Sequence, residues 1–133
     1  MTEIKRLAGD PPSPWEGEYG FSRIVLAGQL VLLGGTTSVD GNGVVIGRTP
    51  YEQAIEIFSR LGRELARVGA RIEDVVMTRI YVTDISRADE VGRAHGEFFG
   101  LVRPLMTMVE VSALIDPRML LEVELMAQLA GPA

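Results

Sequence analysis

Hydrophobic and polar positions along the chain fall into two periods. Alternation, which puts successive side chains on opposite faces of a strand, marks several stretches. Glu3 to Leu7 reads as a short edge strand. Phe21 to Ala27 and Leu30 to Gly34 are strands separated only by Gly28-Gln29, the spacing of a compact hairpin. Val75 to Asp84 is a strand with Val76, Thr78, Ile80 and Val82 on one face and Val75, Met77, Arg79, Tyr81 and Thr83 on the other. The stretch from Arg103 to Ala127 predicts two further strands joined tightly through Asp116-Pro117, a turn signal. Leu105, Thr107, Val109, Val111 and Ala113 share one face of the first; Met106, Met108, Glu110 and Ser112 share the other. In the second, Leu121, Val123 and Leu125 oppose Glu122, Glu124 and Met126.

Helical spacing appears twice. Thr49-Pro50-Tyr51-Glu52 supplies a cap, a first-turn proline and the glutamate of a capping box. Ala54, Phe58, Leu61, Leu65 and Val68 then form an apolar stripe, and Gly69 terminates it. Arg60, Arg63, Glu64 and Arg67 lie off the stripe and read as a solvated face. Ser86-Arg87-Ala88-Asp89 predicts a second helix with Val91, His95 and Phe98 buried and Gly100 at its end. Here His95 reads as a packed side chain rather than a catalytic one. Ala8 to Tyr19 reads as a loop anchored by Trp15, and Ser38 to Gly47 as a glycine-rich excursion around Asp40-Gly41-Asn42-Gly43. Gly34-Gly35-Thr36-Thr37 reads as a tight turn.

The order strand, strand, helix, strand, helix, strand, strand predicts an α+β fold: one mixed sheet with two helices packed on one face. The last strands are apolar on both faces. With helices on one side only, the other side calls for a partner chain. Three carboxylates, Glu110, Glu122 and Glu124, are expected on corresponding faces of two adjacent strands, where like charges repel. Arg79, an unusual residue in so apolar a strand, is expected to pair with Glu122 or Glu124 within the sheet or across a subunit boundary.

Length and composition narrow the chemistry. The 133 residues suit a single domain over residues 1–133. No cysteine is present, so disulfides and thiolate chemistry are ruled out, and one histidine precludes a multi-His metal site in one chain. No cofactor and no metal are expected. A net charge of −5 without a Lys/Arg cluster argues against a nucleic-acid surface. No signal pattern or long apolar run is present, so no membrane association and a cytoplasmic location are expected.

Pro104, the small polar strand through Val109-Glu110-Val111, Leu114, a loop and Glu122-Val123-Glu124 resemble the closing signature of the Rid/YjgF family, and further matches run from about Phe21 to Ala127. The resemblance implies the chorismate-mutase-like Rid fold, a homotrimer with ligand clefts between neighbours, and hydrolysis of reactive imines and enamines such as 2-aminoacrylate. It also implies that Gly34-Gly35-Thr36 ends a strand with backbone N–H groups facing the cleft. Members that deaminate use an arginine to grip the substrate carboxylate, a small residue two positions on, a glutamate that orients water, and a tyrosine and a serine from the first hairpin. Carried over, the arginine falls on Met106, the small residue on Met108, the tyrosine on Phe21 and the serine on Gly34. Phe21-Ser22-Arg23 stands where the family has Tyr-Ser-Gln, and a helix residue that is often Asn falls on Gly92. Only the glutamate survives, as Glu122, given a loop one residue longer at Ile115 to Arg118.

Methionine cannot supply an arginine's bidentate grip, and two methionines would make the cleft more apolar and adaptable. The resemblance therefore implies a divergent, arginine-less Rid branch. One reading is an enzyme that acts on a small, fairly apolar imine, enamine or carbonyl compound, with Glu122 as general base. Tyr19, Thr36 and Arg79, or Arg103 in place of the lost arginine, would add polar contacts. The other reading is a non-catalytic trimer that binds a small ligand or a protein partner in the same clefts.

Overall fold

The computed structural model describes residues 3–130. Six strands form one sheet: β1 (Ile4–Leu7), β2 (Ile24–Ala27), β3 (Leu30–Thr36), β4 (Val75–Val82), β5 (Leu105–Glu110) and β6 (Leu121–Gln128). Their spatial order is β1-β2-β3-β6-β4-β5. All neighbours are antiparallel except β4 and β5, which run parallel. The helices α2 (Pro50–Arg67) and α3 (Ala88–Phe99) cover one face, and a short α1 (Pro14–Tyr19) precedes the first hairpin. The fold is thus α+β, as the alternation of periods predicts.

The core lies between the sheet and the two long helices. Val31, Leu33, Ile80, Leu121, Val123 and Leu125 point into it from the strands, and Ile57, Phe58, Leu61 and Leu65 from α2. Phe58 meets Phe99 and His95 edge-on, with ring centroids 5.5 and 5.7 Å apart. His95 is buried, and its Nε2 lies 2.9 Å from the Thr78 hydroxyl. Burial holds its pKa below the usual histidine value. Thr49 caps α2 by accepting from the Glu52 N–H at 3.1 Å, and Gly69 takes the left-handed conformation beyond its end, at φ 77°.

Several expectations are corrected. β5 and β6 are not neighbours: β6 inserts between β3 and β4, and β5 joins the far edge of β4. The 111–120 connection is a long loop, not a tight turn, because a parallel β4–α3–β5 unit carries β5 to the edge. β6 can occupy the middle because Leu121, Val123, Leu125 and Ala127 are all buried and it finds hydrogen-bonding partners on both sides. Glu110 is therefore remote from Glu122 and Glu124. It accepts from the Ile85 N–H at 3.0 Å. In β4 a register shift between Val75 and Met77 turns Val75 inward, 3% exposed, and Val76 outward, 45% exposed.

The 8–19 segment is not wholly a loop. Pro14 opens α1, the Glu16 carboxylate accepts from the Ser13 N–H at 2.6 Å, and Gly20 closes it at φ 76°. Ahead of α3, whose own N-cap Arg87 makes no side-chain cap, Asp84 caps the turn that leads into the helix. It accepts from the Ser86 N–H at 3.0 Å and starts a 3-10 turn, Ile85–Arg87, that leads into the helix. Phe99, not Phe98, is the fully buried aromatic of that helix.

Candidate functional site

Glu122 lies on the face of β6 that the helices leave open, directly across from Tyr81 of β4. Its neighbour Val123 faces the core, so alternation alone fixes that orientation. On the other side, β3 loses regular register between Leu33 and Thr36, and Gly34 and Gly35 occupy the irregularity. A side chain at Gly35 would meet Glu122: a Cβ there would stand 2.5 Å from Oε2. Glycine thus makes room for the carboxylate against the backbone of β3.

Glu122 and Gly35 help to line a cavity of about 280 Å³. Thr36, Trp15 and Met119 line it as well, and Tyr19, Phe21 and Ile115 line its mouth with largely exposed rings and chain. The loop between β5 and β6 thus contributes Ile115 directly to the pocket. Of the sequence-predicted site residues, the chain brings together Glu122, Phe21, Gly35 and Thr36, with Tyr19 beside them. Gly34 borders a second groove rather than this cavity, and its N–H bonds the Arg23 carbonyl at 3.0 Å.

Arg79, Met106 and Met108 are not brought to this pocket in a single chain. Arg79 borders the second groove and lies 3.4 Å from Glu124, with the two side chains 51% and 33% exposed. In a single chain this is a surface pair, and such pairs contribute about 0–1 kcal/mol, far less than a buried pair would. Glu124 also accepts from the Tyr81 hydroxyl at 2.7 Å. Met106 and Met108 sit on β5 opposite Thr78 and Ile80, hence on the helix side of the sheet and two strands away from β6. Arg103 is held at the α3–β5 turn, where its Nε donates to the Gly100 carbonyl at 3.1 Å.

The pocket's own cations are Arg23 and Arg60. The sequence pattern gives Arg23 no role and reads Arg60 as part of a solvated face. Arg23 Nη1 donates to the Gly35 carbonyl and, at 3.2 Å, to the Thr36 hydroxyl, and its Nη2 lies 3.9 Å from Glu16. Arg60 reaches from α2 to the carbonyls of Thr37 and Val39. Its burial lowers its pKa. Glu64, placed with Arg60 on the expected solvated face, is buried and paired with Arg67 at 2.5 Å. Glu16 also went unnoticed, although Ser13-Pro14-Trp15-Glu16 is a readable capping pattern. Burial pushes its carboxyl up, but the N–H groups of Gly9 and Ser13 and the charge of Arg23 bring it net below the usual range.

Glu122 is shifted the other way. Burial raises its pKa, Arg23 opposes the rise and Glu124 adds to it. A half-buried carboxylate with a raised pKa, open to a cavity, is suited to taking up a proton from a bound molecule or water. Among the described residues no three His, Asp or Glu side chains converge so as to hold a metal ion, and no helix is long and apolar enough to cross a membrane.

A mixed sheet covered on one face, with a carboxylate-floored cavity where β3 meets β6, defines an α+β sandwich with a cavity lined in part by the sheet. The family model described as Endoribonuclease L-PSP matches residues 14–129. The chain is 41% identical over 115 residues to the uncharacterized protein SCO2049 of Streptomyces coelicolor, covering 86% of each. It is 30% identical over 110 residues to the RutC family protein SSO3206 of Saccharolobus solfataricus, covering 81% of this chain and 86% of that one. The crystal structure of Rv2704 from Mycobacterium tuberculosis, described as a member of the YjgF/YER057c/UK114 family, superposes with a TM-score of 0.85 at 40% identity over 96% of this chain and all of that one. The chain belongs to the Rid/YjgF family.

Proposed function

We propose that this protein is a divergent Rid-family hydrolase that adds water to a small imine- or enamine-like metabolite, with Glu122 as general base and no cofactor. The observation that carries this reading is the Glu122 carboxylate itself: half-buried, raised in pKa, and set against Gly35 on the floor of the cavity. Thr36 and Tyr19 line the same cavity, and Phe21 and Ile115 offer apolar contact at its mouth. Three chains closing their uncovered sheet faces would set a neighbour's edge strand β5 beside each pocket, and that strand carries Met106, onto which the resemblance carries the family's arginine. The net charge of −5 supports a small-molecule ligand over nucleic acid.

Loss of that arginine also supports a second reading, in which the same clefts bind a small ligand or a protein partner without turnover. Imines generated in place by an amino-acid oxidase or an amine oxidase separate the two. Hydrolysis of at least one imine, abolished in Glu122→Gln, is the expected result. Ligand binding without acceleration of any imine in the panel would leave the binding reading standing instead.

A further inference from the structure

The wall around Glu122 carries five carboxylates, those of Asp10, Glu16, Asp40, Glu64 and Glu122, against two guanidinium groups, Arg23 and Arg60. The commitments of those two cations decide which sign of ligand the cavity can hold. Arg60 is tied to the Thr37 and Val39 carbonyls and lies 3.7 Å from Glu56. Arg23 is tied to Gly35 and Thr36, and its charge is shared between Glu16, at 3.9 Å, and Glu122. One guanidinium shared by two carboxylates leaves that corner negative. Glu64 is matched by Arg67, and Asp40 accepts from the N–H groups of Asn42 and Val44 at 2.8 and 3.0 Å. No hydrogen bond within the described residues stabilises the Glu122 carboxylate.

We infer that this pocket takes the protonated imine of a small primary amine, a cation without the carboxylate of a 2-imino acid. The inference rests on the imine-hydrolysing reading of Glu122 and names its substrate class. The protonated imine is the form to which water adds, and an excess of fixed carboxylates in a half-buried cavity favours it. A substrate carboxylate would meet the same excess of negative charge after giving up its hydration, with both guanidinium groups already engaged.

The water oxygen bonds to the imine carbon, the C=N π pair moves to nitrogen, and the water's proton passes to Glu122. The carbinolamine nitrogen takes that proton back and the C–N bond breaks. The hydroxyl proton then transfers to the departing ammonia, so a carbonyl compound and ammonium leave. Phe21, Ile115 and Met119 would hold the hydrocarbon part.

Two imines differing only by a carboxylate provide the test: that from leucine through an amino-acid oxidase and that from isoamylamine through an amine oxidase, each followed by semicarbazide trapping. The kcat/KM for the amine-derived imine is expected to exceed that for the imino acid by about tenfold or more, the scale of one unmatched interaction. A preference for the imino acid that disappears in Arg23→Gln would overturn the inference and make Arg23 a carboxylate grip. Calorimetry with isoamylammonium and 4-methyl-2-oxopentanoate reads the same selectivity without turnover. Tighter binding of the ammonium, weakened in Glu122→Gln, supports the charge assignment even where neither imine is hydrolysed, and in that case the hydrolase reading fails alone. Tighter binding of the oxo acid, or no binding of the ammonium at millimolar concentration, overturns the assignment.

Discussion

Glu122 can lie where it does only because residue 35 has no side chain. In Gly35→Ala the added Cβ would stand 2.5 Å from Oε2 and 3.0 Å from Cδ of Glu122. The obstructing atoms are the far end of a flexible side chain, so the carboxylate swings away rather than the strands parting. We expect a folded protein with a melting temperature close to the parent's. Turnover should fall about 10²-fold, since a displacement on the order of 1 Å has that effect on a positioned catalytic group. Parent-like turnover in Gly35→Ala would show that Glu122 does not act from this position. Glu122→Gln should lower kcat by about 10²–10⁴ while changing stability in a pH-dependent way. Folding raises the carboxyl above its usual 4.5, so its protonated form adds stability below that pH, and the contribution is lost as pH rises through the raised value. Above it the ionised carboxylate disfavours the fold, and glutamine does not. Glu122→Gln should therefore melt higher than the parent at neutral pH, with the difference shrinking toward pH 4.5 and below. An equal difference at every pH would contradict a raised pKa.

At the scale of elements, the pocket depends on one buried glutamine. Gln53, on the first turns of α2, donates from Nε2 to the carbonyls of Gly47 and Arg118, at 3.0 and 2.9 Å, and accepts from the Leu120 N–H at 2.8 Å. It thereby clamps the loop that carries Ile115 and Met119 and sets the start of β6, two residues before Glu122. Gln53→Leu keeps the volume roughly but leaves those groups unpaired, at about 1–3 kcal/mol for each one that water cannot reach. We expect a lower urea midpoint at an unchanged m-value, with ligand affinity falling as well. A midpoint equal to the parent's would mean that the loop holds itself. What the sequence disclosed at this scale follows from local physics. Period and capping located β2, β3, β4 and α2, because Thr49, Pro50 and Gly69 act within a few residues of themselves. Pairing between distant strands was not legible. Nothing local in Leu105–Glu110 or Leu121–Gln128 tells whether they adjoin each other or enclose β4. The pocket's cations were hidden for a related reason. Arg60 and Glu64 look solvated on a helical wheel, yet Arg60 is drawn to the Thr37 and Val39 carbonyls and Glu64 is buried against Arg67, contacts that a helical period does not show. Glu122 was legible because a carboxylate on an apolar strand already demands an explanation.

For the whole molecule, the open sheet face poses the remaining question. Val25, Leu32, Met77 and Met126 lie on it, and Leu105 and Val109 of the edge strand are exposed. Burial of such a surface is worth roughly 25 cal/mol per Å², which favours covering it with further copies of the chain, three in the arrangement the resemblance implies. A stable monomer in sedimentation at micromolar concentration would sink that expectation. The assembly also predicts which chain completes which pocket. The resemblance carries the family's arginine onto Met106, yet within one chain that residue lies on the helix side of β5, two strands from Glu122. If position 106 serves a pocket at all, it serves a neighbour's. Met106→Arg should then add hydrolysis of 2-iminopropionate, which the parent should perform weakly or not at all, and the double variant Met106→Arg with Glu122→Gln should be inactive. Coexpressing the double variant with the parent chain should restore activity, because the introduced arginine of one chain then faces the intact Glu122 of the next. Activity in Met106→Arg without restoration in the mixed assemblies would place arginine and glutamate in one chain and contradict the trimer geometry. No gain in any combination would mean that the edge of β5 does not wall the pocket.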